Sequence, residues 1–346
     1  MKTEFLKIES VRETDKLRHA GDVLRRGGLC GMPTETVYGL AANALDEAAV
    51  RKIFAAKGRP QDNPLIVHIS RIEEWAPLVR DIPPDAAALA EAFWPGPLTI
   101  ILPKADCIPD AVTCGLDTVA VRMPSHPIAR ALIRAAGVPL AAPSANLSGK
   151  PSPTTALHVL HDMDGRIDLI VDGGDCAVGV ESTVVTLCGE RPRLLRPGGV
   201  TLEDLRGVLG EVDVDKAVLG ELDANEKPSS PGMKYKHYAP DADVKLVRGS
   251  TERFAAYARR YPQDETLILC FDGEENAFGC KTVSLGAPTD GRTHAQRIFR
   301  ALRDADADGC RTVLIHCPGD TGVDLAVLNR LLRAAAFQVV NTEEQL

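Results

Sequence analysis

GLCGMPTETVYGLAANALDEAAVRKIFAAKGRPQDNPLIVHIS, residues Gly28–Ser70, reads as strand, polar turn, helix, basic elbow and strand. Leu29, Cys30, Gly31 and Met32 form a short apolar run that Pro33 breaks. Thr34, Glu35, Thr36 and Tyr38 then place hydroxyls and one carboxylate just past a strand end, where open α/β sheets bind ligands. Asp46 is an expected N-cap, and Val50, Ile53 and Phe54 keep the i, i+3, i+4 spacing of a packed helix. Gly58 permits a left-handed exit from that helix and Pro60 stops its continuation. Lys57 and Arg59 therefore flank a glycine on non-helical backbone, ahead of Asn63 and a strand carrying His68. Read singly, the two cations complement a helix C-terminus and His68 is a core histidine. Arg59 also offers a planar fork suited to phosphate or carboxylate, and Lys57 a point charge.

The chain has 346 residues, which suggests two domains. A net charge of -8 counts against a general nucleic-acid coat or an anionic-membrane binder, although it leaves room for a local basic cleft. The first ten residues, MKTEFLKIES, hold no apolar signal core, and no apolar run reaches membrane-span length. The nine cysteines include no C-x-x-C pair, so the expectation is reduced thiols in the cytoplasm, with neither a disulfide framework nor a structural zinc site.

Outward from the opening stretch, Asp15–Arg26, Glu73–Val79, Pro84–Phe93 and Ile128–Ala136 read as helices. Leu98–Leu102, Thr118–Pro124 and Pro139–Ala142 read as strands, the second placing Arg122 beside its carboxyl end. The densest polar loop, Pro143–Thr154, follows, with Thr154 as the expected cap of the next helix. Asp168–Asp172 is another strand, and Glu181–Leu187 with Arg193–Gly198 suggests a hairpin. The expected boundaries are a catalytic domain over 1–210, a linker over 211–242 and a small α/β domain over 243–346. The linker carries the basic, aromatic run Lys234–Tyr238, which is unusual in an acidic protein. Beyond it, strands alternate with helices at the spacing of a parallel sheet, with no G-x-G-x-x-G fingerprint.

Lys57, Arg59, Arg122, Arg196, Lys150, Lys234 and Lys236, with the hydroxyls and amides of Thr36, Ser144, Asn146, Ser148, Ser152 and Ser182, sit mostly after strands or in turns. Cations converging with hydroxyls and backbone N–H groups suit a polyanion such as a nucleoside triphosphate. No G-x-x-x-x-G-K-[ST] is present, Ser144 lacks a G-x-S-x-G elbow, and no metal-ligand cluster is spelled out. Any metal is expected to be Mg²⁺ arriving with phosphates.

The motifs Pro33–Leu40, Lys57–Pro60, Pro64–Leu65 with His68, Trp94–Thr99, Val121–Pro124, Ser144–Asn146 with Ser148–Gly149, Glu181–Thr183 and Leu195–Gly198, in this order, resemble the YrdC family of threonylcarbamoyl-AMP synthases. Pro231–Tyr235 before His237–Pro240 resembles the linker of the two-domain form. The resemblance implies a YrdC-like twisted mixed sheet with flanking helices, linked to a smaller Rossmann-like parallel α/β domain. It implies condensation of L-threonine, bicarbonate or CO₂, and ATP to threonylcarbamoyl-AMP and pyrophosphate. A separate tRNA threonylcarbamoyl transferase complex would then modify the adenosine beside the anticodon. Direct tRNA binding is not required, and no membrane is involved.

By motif match, threonine would be held by Thr36, His68, Arg122, the backbone near Ala142, and Ser182. ATP would be held by Arg59, Asn63, Thr118, Ser144, Asn146, Ser152 and Arg196, with Lys57 on the phosphates and Lys57 and Arg59 as the catalytic cations. Thr118 and Ser152 match by position more than by motif, and either Tyr235 or Tyr238 would close over the site. No enzyme nucleophile is needed: the protein positions the substrates and stabilises charge on phosphorus and the departing pyrophosphate. Two competing readings are a non-catalytic RNA-binding module on the same cleft and a carbamoyltransferase maturation factor. The charge balance and the lack of an RNP-like strand oppose the first, and the absent zinc-finger cysteine pairs oppose the second.

Overall fold

The computed structural model describes residues 2–220 and 237–343. They divide into two compact units, the first built from residues up to Ser148 with Ser152–Val218, the second from Gly149–Pro151 and the C-terminal residues.

The strands of the first unit are β1 (Glu4–Lys7), β2 (Cys30–Met32), β3 (Gly39–Asn43), β4 (Ile66–His68), β5 (Leu98–Pro103), β6 (Thr118–Arg122), β7 (Leu140–Ala142), β8 (Leu169–Asp172), β9 (Thr183–Thr186), β10 (Arg193–Arg196) and β11 (Asp213–Val214). Its helices are α1 (Thr14–Arg25), α2 (Glu47–Lys57), α3 (Pro84–Phe93), α4 (Asp110–Thr113), α5 (Pro127–Ala136), α6 (Ala156–Met163) and α7 (Leu202–Leu209). The strands form one mixed sheet in the order β1-β8-β2-β3-β7-β4-β6-β5-β9-β10-β11. Sequence neighbours pair in the hairpins β2–β3, β5–β6 and β9–β10, all antiparallel, whereas β4 lies between antiparallel β7 and parallel β6.

Local chemistry accounts for the best-read elements. Asp46 accepts hydrogen bonds from the N–H groups of Ala48 and Ala49, and Gly58 ends α2 at φ 61°. Leu17, Ala20 and Leu24 of α1 pack with Ile128, Leu132 and Ile133 of α5 over Cys30, Met32, Leu169 and Val171. Gly21 makes that crossing possible, because a Cβ there would stand 2.5 Å from the carbonyl carbon of Ala135.

Three expectations are corrected. Glu73–Val79 is two 3₁₀ turns, Ile72–Glu74 and Ala76–Leu78, since Pro77 removes a donor an α-helix would need. The cap of α6 is Thr155, whose hydroxyl accepts from His158 N–H, rather than Thr154. Residues 211–218 are not linker: β11 pairs parallel with β10, and Ala217 and Val218 are buried. The rest of the basic run, with Tyr235, Lys234 and Lys236, lies outside the described residues.

The second unit contains β12 (Asp243–Arg248), β13 (Thr266–Cys270), β14 (Lys281–Ser284), β15 (Thr312–His316) and β16 (Val339–Asn341), with α8 (Thr251–Ala258), α9 (Gly291–Ala307) and α10 (Asp324–Ala334). Its sheet runs β14-β13-β15-β12-β16, parallel throughout. The central strands were legible as apolar runs; the edge strands β14 and β16 were not, because their partly exposed, mixed residues carry little pattern. Among the described residues, no helix is long and apolar enough to cross a membrane.

Candidate active site

Five segments of the first unit bring buried polar side chains together, and in each the strand pattern explains the placement. Arg122 closes β6 and stands in register with His68, which closes β4. Thr36 lies in the loop between β2 and β3, Ser182 immediately precedes β9, and Arg196 closes β10. Arg122 donates from Nη1 to Thr36 Oγ1 at 2.9 Å and from Nε to the Gly96 carbonyl at 3.3 Å. Its Nη2 stands 2.7 Å from Glu35 Oε1 in an ion pair buried on both sides. Thr34 and Thr36 share a hydroxyl contact at 2.9 Å, and the N–H groups of Val178 and Gly179 bond to the carbonyls of Glu35 and Thr36.

Ser182 is held as firmly. Its hydroxyl meets Thr99 Oγ1 at 2.8 Å and accepts from Arg196 Nη2 at 3.1 Å, while Arg196 Nε donates to the Ser182 carbonyl at 3.0 Å. Gly198 lets the β10 exit pass this segment, since a Cβ there would fall 2.2 Å from the Thr183 nitrogen. The Thr183 N–H also bonds to the Pro97 carbonyl, so the turn through Pro97 joins the Ser182 and Arg122 sides.

Burial, reinforced by the Arg122 guanidinium, pushes the pKa of His68 down to about 3. The ring is therefore neutral at ordinary pH, with Nδ1 3.1 Å from the Ile66 carbonyl. For Glu35, burial is the largest influence and alone would raise the pKa, but the Arg122 charge and the N–H donors of Arg122, Glu35 and Ser125 together turn the net shift downward. This corner thus presents one fixed cation beside one fixed anion, walled by hydroxyls and a neutral imidazole.

A second polar cluster surrounds the end of α2. Lys57 is buried and its ammonium donates to the Ser144 carbonyl at 2.6 Å and to the Asn146 carbonyl. Ser148 N–H returns a bond to the Lys57 carbonyl at 3.0 Å, and Ser144 Oγ donates to Asn146 Oδ1. Lys57 is thus a brace for the 144–148 loop as well as a charge. Arg59 Nη2 donates to the Asn63 carbonyl at 2.7 Å, while Asn63 Oδ1 is buried without a hydrogen-bond partner. Such an orphaned acceptor is costly and marks a place where a ligand donor fits. Tyr38 connects the two clusters: its N–H bonds to the Pro153 carbonyl and its carbonyl accepts from Ala145 N–H.

The structure joins Thr36 to Arg122 and Ser182 to Arg196, sets His68 level with Arg122, and ties Lys57 to Ser144 and Asn146. Ala142 closes β7 beside Ile66 of β4. Ser152 is buried and donates to Glu181, next to Ser182. Thr118 begins β6 opposite Pro103, and among the described residues no hydrogen bond joins its side chain to the others. Tyr238 belongs to the second unit, buried with its ring 5.4 Å from Phe299 and under the Arg330 guanidinium at 5.7 Å. Lys150 is also engaged there, with Asp241 at 2.6 Å and Asp306 at 3.3 Å. Sequence reading passed over Glu35 and Thr99 as site residues. The available signals were a lone carboxylate among threonines and a lone polar residue in an apolar strand.

A family model described as telomere recombination (Sua5_yciO_yrdC) matches residues 22–198, and one described as threonylcarbamoyl-AMP synthase, C-terminal domain, matches residues 200–336. The chain belongs to the threonylcarbamoyl-AMP synthase family. It is 49% identical over 329 residues to the Bacillus subtilis threonylcarbamoyl-AMP synthase, covering 94% of each chain. It is 45% identical to that of Pyrococcus abyssi, covering 98% of this chain and 99% of the other. The crystal structure of P. abyssi Sua5 complexed with L-threonine superposes with a TM-score of 0.91 at 44% identity, over 98% of this chain and 99% of that one. Membership of this two-domain family does not favour the RNA-binding reading, and the chain is an AMP-forming nucleotidyl-transfer enzyme by kinship.

Proposed function

We infer that the protein condenses L-threonine, bicarbonate or CO₂, and ATP into threonylcarbamoyl-AMP and pyrophosphate, with threonine in the Arg122 pocket and the triphosphate along the α2 elbow and the 144–152 loop. The observation that carries this reading is the buried Arg122 guanidinium, fixed by Thr36 and Gly96 and surrounded by hydroxyls. A guanidinium held this way is preorganised for a carboxylate at little further entropic cost. The neutral His68 and the Ser182 hydroxyl supply hydrogen-bonding partners without a competing charge. A threonine-bound relative at 44% identity supports the substrate.

Threonine's amine attacks carbon to form a carbamate, whose oxygen attacks the α-phosphorus as pyrophosphate leaves. Arg59 and Arg196 stabilise charge on the phosphates, and Asn63 Oδ1 accepts from the nucleotide. Lys57 acts through its charge and by holding Ser144 and Asn146 in place. Mg²⁺ would arrive with ATP and would neutralise phosphate charge alongside Arg59 and Arg196. The product passes to a tRNA threonylcarbamoyl transferase complex in the cytoplasm, where nine unpaired thiols stay reduced.

The test is pyrophosphate release from ATP and Mg²⁺, with threonine and bicarbonate each omitted in turn, for the wild type and Arg59→Ala. Release should need both small substrates, and the variant should lose about 10²–10³ in kcat, as when a well-placed electrostatic donor is removed. Release indifferent to threonine would overturn the substrate assignment.

A further inference from the structure

Glu35 has no part in the reading above, yet its carboxylate lies buried against Arg122. The residue is 6% exposed, and neither carboxylate oxygen has a hydrogen-bond partner. The N–H groups of Glu35 itself and of Ser125 lie close enough to favour its charged form. Its ion-pair partner is Arg122 Nη2 at 2.7 Å, and that side chain favours the ionised carboxylate both through its charge and at hydrogen-bonding range. A carboxylate taken out of water with part of its acceptor capacity unused is expensive, and two oxygens offer about four acceptor positions. This is an incomplete site rather than a finished structural pair.

The titratable groups facing Glu35 come from four segments: Arg122 of β6, His68 of β4, His126 before α5 and Cys176 after β8. Burial holds both histidines toward the neutral form and pushes the Cys176 thiol up. At neutral pH only Arg122 among these four carries charge. An α-amino acid arrives with one anion and one cation, and the pocket offers one cation and one anion to match.

We propose that Glu35 receives the ammonium of threonine and takes one of its protons, acting as the general base that frees the amine to attack carbon. This rests on the assignment of the threonine carboxylate to Arg122. The balance with bicarbonate is direct. The ammonium gives one proton to the Glu35 carboxylate, leaving a neutral amine. The nitrogen lone pair forms the C–N bond, the C–OH bond breaks, and the second amine proton leaves with that hydroxyl as water. Carbamate, water and protonated Glu35 result.

Without substrate, the Arg122 charge and the donors around it hold the carboxylate ionised against its burial. When the substrate carboxylate joins Arg122, that charge is shared between two anions. The ammonium, while it keeps its proton, favours the ionised carboxylate, and the transfer leaves a neutral amine and a neutral carboxyl where burial disfavours charge.

The experiment measures calorimetric affinities of the full-length protein for L-threonine and for (R)-3-hydroxybutyrate, which lacks the amine. The wild type should prefer threonine, and Glu35→Gln should reduce that preference roughly tenfold or more, the size of a lost charge-assisted contact. Pyrophosphate release by Glu35→Gln should fall about 10²–10⁴-fold in kcat and lose the acid limb of its pH profile. Glu35→Asp should keep the preference for the amine with a reduced kcat, and it carries the test if Glu35→Gln does not fold. A wild-type preference in Glu35→Gln, an unchanged pH profile, or an undiminished kcat in Glu35→Asp would overturn the proposal. Arg122→Gln separates the underlying reading: it should weaken both ligands alike, and if it binds both as the wild type does, the carboxylate assignment fails instead.

Discussion

Acidification should destabilise the first unit through His68, and the structure sets the size of the effect. The folded ring has its pKa pushed from 6.5 to about 3, with burial as the main cause and the Arg122 charge second. In the unfolded chain it titrates near 6.5. Between those values the unfolded state binds a proton that the fold refuses, so stability rises with pH across the window and falls as pH drops below about 6.5. At pH 5 the unfolded histidine is almost fully protonated and the folded one almost not at all. The penalty there is about 2 kcal/mol relative to pH 7, and it grows to several kcal/mol near pH 3. Urea unfolding followed by tryptophan fluorescence isolates this unit, because both tryptophans, Trp75 and Trp94, lie in it with ring centroids 4.7 Å apart. His68→Asn cannot take up the proton, so its stability should drop less than the wild type's between pH 7 and pH 5, by about 2 kcal/mol. Carboxylates such as Glu35 contribute to both proteins and cancel in the difference. Parallel pH dependences for the two proteins would refute the neutral, buried imidazole.

Three further outcomes follow from particular contacts. Thr99→Val removes the hydroxyl that meets Ser182 at 2.8 Å, and should raise the KM for threonine severalfold with a stability loss of about 1 kcal/mol; initial-rate kinetics and chemical denaturation read the two effects. Gly21→Ala drives a methyl group against the backbone of Ala135, so the α1–α5 crossing should open at a cost of about 1–3 kcal/mol in the same fluorescence assay. Asp46→Ala deletes the cap that serves Ala48 and Ala49 N–H, and should lower stability by about 1 kcal/mol while leaving pyrophosphate release intact at low temperature.

The parts of the fold that were legible are those whose physics is local. The N-cap at Asp46, the left-handed exit at Gly58, the hairpin after Ser182 and the alternating strands and helices of the second unit were all readable from short windows. The misreadings are also local: a proline inside an apparent helix, and a cap displaced by one threonine. The candidate site was legible as a set of residues, because its members stand after strands or in turns and fall within ordered motifs. Their division of labour was not. Lys57 has the composition of a phosphate cation, yet its ammonium also braces the 144–148 loop. Tyr238 fits a lid by sequence, yet its ring is buried against Phe299 in the second unit.

The sequence by itself determined the elements, the family motifs and the chemical types available for binding an amino acid and a polyphosphate. Tertiary structure decided which of those groups meet. The sheet order sets β4 between β6 and β7 and β5 beside β9, pairings between segments far apart in the chain. Through them His68 comes level with Arg122, and Thr99 reaches Ser182 across 83 positions of sequence. The pairing of Glu35 with Arg122 belongs to the same level. A carboxylate in a turn and an arginine at a strand end reveal nothing of each other locally, and only their shared burial makes the contact strong enough to matter.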